Sequence, residues 1–103
     1  DHIEEICSIP GVDMVQFGPS DYSMSAGKNR SDYAEECKAA ERKMIEVALK
    51  HGVAPRCEIP TPEAAEYYVK LGVRHFSLGD QLKVLKDFWI NSGEKIRAIA
   101  DAT

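Results

Sequence analysis

Three times along this chain a strand-length apolar run is cut off by glycine or proline and followed by a helical pattern. Asp13–Phe17 stops at Gly18-Pro19, Val53–Ile59 at Pro60, and Val73–Leu78 at Gly79-Asp80. Short apolar runs alternating with longer amphipathic segments read as consecutive βα units. Right-handed crossovers through the intervening helices make the strands parallel. Parallel strands need cover on both faces. The three helices supply cover for one face only, so either further strands close a barrel or the open face meets a partner.

The helical segments carry their own punctuation. Ile3, Ile6 and Cys7 have the spacing of the end of an amphipathic helix, closed by Pro10-Gly11. Ser23–Arg30 reads as a polar loop with at most one helical turn. Asp32 and Glu35 resemble a capping box, with Asp in place of the usual Ser or Thr. Tyr33, Cys37, Ala40, Met44, Val47 and Ala48 then recur at helical spacing up to His51, where Gly52 supplies a left-handed cap. Thr61-Pro62-Glu63 predicts a helix start with Thr as N-cap. Ala64, Ala65, Tyr68 and Leu71 form that helix's inward stripe, ended by Gly72. The final helix is predicted from about Leu82 to Ala100, with Leu82, Leu85, Trp89, Ile96 and Ile99 on one side. Ser92-Gly93 is its predicted weak point.

Composition narrows the function classes. A net charge of −4 over 103 residues argues against nucleic acid or an anionic membrane as the main partner, since both reward a basic face. No apolar run approaches the roughly 20 residues of a bilayer span. Cys7, Cys37 and Cys57 stand far apart without a CxxC pair, which fits reduced thiols in a cytoplasmic protein better than disulfides or zinc. The chain opens on Asp1 without a Met, on what reads as the tail of a helix. Both features suggest the C-terminal part of a longer protein.

The stretch Val12-Asp13-Met14-Val15-Gln16-Phe17-Gly18-Pro19-Ser20-Asp21-Tyr22 resembles the strand-and-loop signature of the HpcH/HpaI aldolases, class II pyruvate aldolases of the phosphoenolpyruvate/pyruvate-type barrel superfamily. The resemblance extends through the Pro-Thr-Pro-Glu helix start, the Leu-Gly-Val turn and the strand ending in Gly79-Asp80. It implies an α/β fold made of the last three βα units of a (β/α)8 TIM barrel. Residues 1–103 would be the C-terminal part of a single barrel domain, with the upstream strands outside this chain.

The resemblance also implies a site. Asp21 would be one of two carboxylates holding a divalent metal, Mg²⁺ or Mn²⁺ with other divalent ions possible. Backbone N–H groups around Ser20 and Asp21, in the turn formed with Gly18 and Pro19, would bind the carboxylate of pyruvate. Oxygen ligands suit a hard cation, and one or two carboxylates plus substrate suffice. The plain alternative is that Asp21 only caps the turn. The second metal ligand, a histidine base and an arginine belong to earlier strands of the family, so His2, His51 and His75 inherit none of these roles. His51 reads instead as a cation at a helix C-terminus, and His75 as a strand residue with a satisfied ring.

Some residues depart from the family pattern. Arg56 and Glu58 stand where small or apolar residues are commoner, and Tyr22 replaces a commoner Leu. Glu58 is expected to pair with Arg56 or Arg74 more readily than to enter the site. Asp80 reads as a helix N-cap. Gly27-Lys28 is no phosphate loop, since Asn29 stands where Ser or Thr is needed. None of the strands carries a lysine for Schiff-base chemistry.

The expected activity of the complete protein is that of a metal-dependent aldolase, a carbon–carbon lyase acting on a 4-hydroxy-2-oxo acid, pyruvate and an aldehyde. This fragment alone would be inactive. Two alternatives stand: an acyl-CoA lyase of the same superfamily, and a non-catalytic interaction module. Family members are typically homo-oligomers whose last helix packs on a neighbour, a role that Phe88-Trp89-Ile90 would suit.

Overall fold

The computed structural model describes residues 2–102. Its elements run α1 (Ile3–Ser8), β1 (Met14–Gln16), α2 (Pro19–Ser25), α3 (Ala34–Lys50), β2 (Ala54–Ile59), a 3-10 turn (Pro62–Ala64) leading into α4 (Ala65–Lys70), β3 (His75–Leu78) and α5 (Gln81–Asp101). The three strands form one parallel sheet in the order β1-β2-β3. Met14 pairs with Ala54, and Arg56 with His75.

The pleat sorts the strand residues by face. Along β2, Pro55, Cys57 and Ile59 are buried while Arg56 and Glu58 are exposed. The buried face meets α3, whose Met44, Ile45, Val47 and Ala48 form the core with Cys7, Val53, Cys57 and Val73. Val15, Phe17, Tyr68 and Phe76 pack around it. Ile45 belongs to this core although the helical spacing above did not single it out. The opposite face carries Gln16, Arg56, Glu58, His75 and Ser77, with Met14 and Ala54 at one end. It is uncovered, as expected, but it is mostly polar.

Turn chemistry explains the tight returns from helix to strand. After α3, Gly52 adopts φ +72° and Val53 N–H closes on the Ala48 carbonyl at 2.8 Å, a Schellman-type stop. Gly72 repeats this after α4 with φ +99°, and Val73 N–H donates to the Tyr68 carbonyl at 3.0 Å. A Cβ at Gly72 would also lie 2.9 Å from Leu49 Cδ1, the end of an exposed side chain that can move aside, so it is the positive φ that calls for glycine there.

Several local expectations are corrected. Asp32 and Glu35 form no capping box: α3 starts at Ala34 behind Tyr33, with no side-chain cap. Asp32 is held instead by Asn29, whose side-chain oxygen accepts from the Asp32 N–H at 2.9 Å. Thr61 precedes the helix as predicted, but without a side-chain cap bond. Helix α5 passes through Ser92-Gly93 unbroken. None of its residues is buried: Leu82, Leu85, Trp89, Ile96 and Ile99 are all exposed.

Candidate active site

Strand β1 ends at Gln16, and the chain turns through Phe17 and Gly18 directly into α2. Helix α2 thus begins at Pro19, before the stretch Ser23–Arg30 expected as a loop with at most one helical turn, and takes in only its first residues, Ser23–Ser25. The physical reason lies in its first residues. Gly18 takes the N-cap position in extended conformation, and Pro19 fills the first helical position, where a missing N–H costs nothing. Tyr22 N–H then closes the first turn on the Gly18 carbonyl at 2.9 Å.

This places Gly18, Pro19, Ser20 and Asp21 together in one helical turn at the carboxyl edge of the sheet. The N–H groups of Ser20 and Asp21 fall in the first turn, where a helix offers no internal acceptor. Asp21 is exposed, and its Oδ2 would lie 3.1 Å from a Cβ built on Gly18. The carboxylate thus folds back over Gly18, and a side chain at that position would make it shift by a few tenths of an ångström. Tyr22 packs beside the turn, its ring 5.2 Å from Phe17 and stacked at 5.7 Å on Tyr33.

Glu58 also sits at the carboxyl edge, but its partner differs from the expected one. Its Oε1 accepts from Gln16 Nε2 at 3.0 Å across β1 and β2, rather than pairing with Arg56 or Arg74. Arg74 donates to the Val69 and Val73 carbonyls. Beyond Glu58, a cavity of about 460 Å³ opens among Arg30, Ser77, Asp80 and Lys83. Asp80 caps α5 as predicted, accepting from Lys83 N–H at 2.9 Å.

One half-buried pair escaped the sequence reading. Glu41 accepts from the Tyr68 hydroxyl at 2.8 Å, linking α3 to α4. Burial pushes the Glu41 carboxyl above its ordinary range, against the opposing effect of the Tyr68 bond, and the charge of Glu58 adds to the rise. Burial, with a smaller contribution from Glu41, pushes the Cys57 thiol up to about 12. The signal was present: Glu41 lies one helical turn beyond Cys37, on the inward side of α3.

The histidines stay outside the site. His51 Nε2 lies 2.6 Å from Glu4 Oε2, tying α3 to α1. His75 is exposed on the open sheet face, with no hydrogen bond to its ring among the described residues, contrary to the satisfied ring expected. Among the described residues, no group of three or more His, Cys, Asp and Glu side chains is placed to hold a metal ion. Asp21 fits a hard divalent cation as a single, accessible oxygen ligand, and the described residues by themselves supply no complete cage.

The arrangement matches known proteins in sequence and in fold. The sequence model of the HpcH/HpaI aldolase/citrate lyase family matches residues 1–87. A hydroxypyruvate/pyruvate aldolase of Delftia acidovorans is 31% identical over 85 residues, which make up 82% of this chain and 32% of that protein. The chain thus spans about a third of the length of that relative. The crystal structure of an HpcH/HpaI aldolase from Desulfitobacterium hafniense superposes with a TM-score of 0.79 at 21% identity, covering 93% of this chain and 39% of the other. Citrate synthase SbnG gives a TM-score of 0.80 at 21% identity, covering 93% of this chain and 40% of its own. At such identities the likeness is one of fold: three consecutive βα units of a (β/α)8 barrel.

Proposed function

This chain belongs to the HpcH/HpaI aldolase/citrate lyase family, and from that premise we propose that it forms the last three βα units of a metal-dependent pyruvate aldolase. The complete protein makes or cleaves a 4-hydroxy-2-oxo acid, exchanging it with pyruvate and an aldehyde. One observation carries this reading: Asp21 and the N–H groups of Ser20 and Asp21 share a single turn at the carboxyl edge of the sheet, where barrel enzymes of this type keep their chemistry.

The family resemblance supplies the roles, and the turn's geometry is compatible with them. The Ser20 and Asp21 N–H groups receive the carboxylate of the 2-oxo acid, since unpaired first-turn donors favour an anion. Asp21 would contribute one oxygen ligand to a divalent cation, Mg²⁺ or Mn²⁺, the others being supplied by substrate and by the rest of the barrel. When bound, that cation supplies Lewis acidity to the ketone oxygen of the 2-oxo acid. Gly18 leaves room for the carboxylate of Asp21 to sit against the backbone. The Gln16–Glu58 hydrogen bond holds the neighbouring strand ends together beside the turn.

The test uses the full-length protein with Mn²⁺ and follows exchange of the pyruvate methyl protons with solvent, which needs no knowledge of the aldehyde. Exchange should require the metal and stop with chelator. Asp21→Asn keeps the shape and capping ability of the residue but removes the charge. It should cut exchange at least tenfold, or about 1.4 kcal/mol of transition-state stabilisation, with an unchanged unfolding midpoint. Exchange at the parent rate with unaltered metal dependence would make Asp21 a turn residue only. Exchange of acyl-CoA protons in place of pyruvate protons would move the protein to the acyl-CoA lyase branch.

A further inference from the structure

Beneath the turn that carries Asp21 lie two side chains that no role above employs. Ser23 is wholly buried at 0% exposure, and its hydroxyl donates to the Pro19 carbonyl at 2.7 Å while lying 3.1 Å from the Ser20 carbonyl. Cys37 is buried in α3 and brings its thiol to the same Pro19 carbonyl at 3.6 Å. A serine bonding back one turn is common within helices. The Cys37 contact is different, because it reaches across 18 residues and ties α2 to α3.

Peptide geometry gives these contacts a consequence. No peptide bond among the described residues is cis, and in a trans peptide the C=O and N–H point in opposite directions. Drawing the Pro19 carbonyl inward therefore aims the Ser20 N–H outward. Holding the Ser20 carbonyl inward does the same for the Asp21 N–H. The buried ends of two peptides are clamped, and their free ends are the donors proposed to meet substrate.

We propose that Ser23 and Cys37 are positioning residues that lock the Pro19–Asp21 turn in its binding geometry. They touch neither substrate nor metal and act through the two peptide planes. This inference rests on the aldolase reading given above. It adds a buried hydroxyl and thiol to the Gly18 N-cap, the Pro19 start and the helical hydrogen bonds that already shape the turn. Sites held by a well-packed supporting layer lose binding sharply when that layer is removed.

The experiment uses the full-length protein and four measurements: Mn²⁺ affinity by titration, pyruvate affinity by calorimetry, methyl-proton exchange, and thermal unfolding. Ser23→Ala should weaken binding of Mn²⁺ and pyruvate by roughly 10- to 100-fold with the fold retained. Cys37→Ala should weaken both in the same direction, and Cys37→Ser, which restores a donor, should recover them. If Ser23→Ala fails to fold, the Cys37→Ala and Cys37→Ser pair decides alone. Parent-like affinities in Ser23→Ala, or a Cys37→Ser that binds no better than Cys37→Ala, would overturn the inference while leaving the aldolase reading intact. A parent protein that neither binds Mn²⁺ nor exchanges pyruvate protons would overturn both.

Discussion

Glu41 shows how a single residue can set the pH response of this fold. Its carboxyl sits half-buried between α3 and α4, and burial raises its folded pKa above the ordinary value of 4.5. The native state therefore keeps the proton longer than the unfolded chain does. Stability is unaffected below both pKa values, falls as pH rises from the unfolded value through the folded one, and stays reduced above that. Glu41→Gln removes this loss, and its amide oxygen still accepts from the Tyr68 hydroxyl. The variant should gain on the parent in unfolding midpoint as pH goes from about 4 to about 7. Equal midpoints across that range would show that Glu41 ionises without penalty. The pair could not be read from the spacing of Glu41 and Tyr68, which lie 27 residues apart and meet only once α3 and α4 are brought together by the fold.

At the scale of elements, α5 is where local pattern and observed packing part company. Asp80 starts the helix with a side-chain cap, as its place before Gln81 predicts. Ser92-Gly93 was its predicted weak point, and the helix runs through it unbroken. Propensity explains both outcomes: one glycine in a long helix costs a modest amount, too little to break twenty-one residues held by their own hydrogen bonds. A Cβ at Gly93 would meet no atom within 4 Å, and its φ is not positive. Gly93→Ala should therefore stabilise α5 by roughly 0.5–1 kcal/mol, read as a rise in helicity and in the unfolding midpoint. Destabilisation would instead mark Gly93 as a place of close approach by another element. The start of α2 was not foreseen: only a single helical turn was allowed for within Ser23–Arg30, and the helix begins at Pro19. Pro19 at the first helical position was the overlooked signal.

The molecule as a whole is elongated. Its radius of gyration is 18.2 Å and its extents are 65 × 30 × 22 Å, whereas a compact domain of this length would have a radius near 13 Å. Helix α5 accounts for the difference, extending with Phe88 and Trp89 63% and 65% exposed. The surface that asks for a partner is thus this helix, not the uncovered sheet face, which is mostly polar. A cleft of about 720 Å³ along the free edge of β1, lined by Ile3, Ile6, Val15, Phe17 and Met44, adds a second apolar area. Contiguous apolar exposure on this scale marks association. The isolated chain should self-associate in sedimentation, and Trp89→Glu should reduce that association. A monodisperse monomer with cooperative unfolding, unchanged by the substitution, would show that α5 tolerates solvent.

What the sequence by itself determined is local and periodic. Strand stops at Gly18-Pro19, Pro60 and Gly79, the glycine returns at Gly52 and Gly72, and the inward stripe of α3 follow from backbone sterics and helical spacing, which act over a few residues. The same reach made the Gly-Pro-Ser-Asp turn recognisable as a family signature, and so pointed to Asp21. Tertiary structure decided what depends on residues distant in the chain. It set Glu58 on Gln16 instead of an arginine, joined Glu41 to Tyr68, brought Cys37 under Pro19, and made the open sheet face mostly polar while α5 carries the exposed apolar surface. Those outcomes turn on strand register and helix crossing, through which a one-residue shift would exchange every partner.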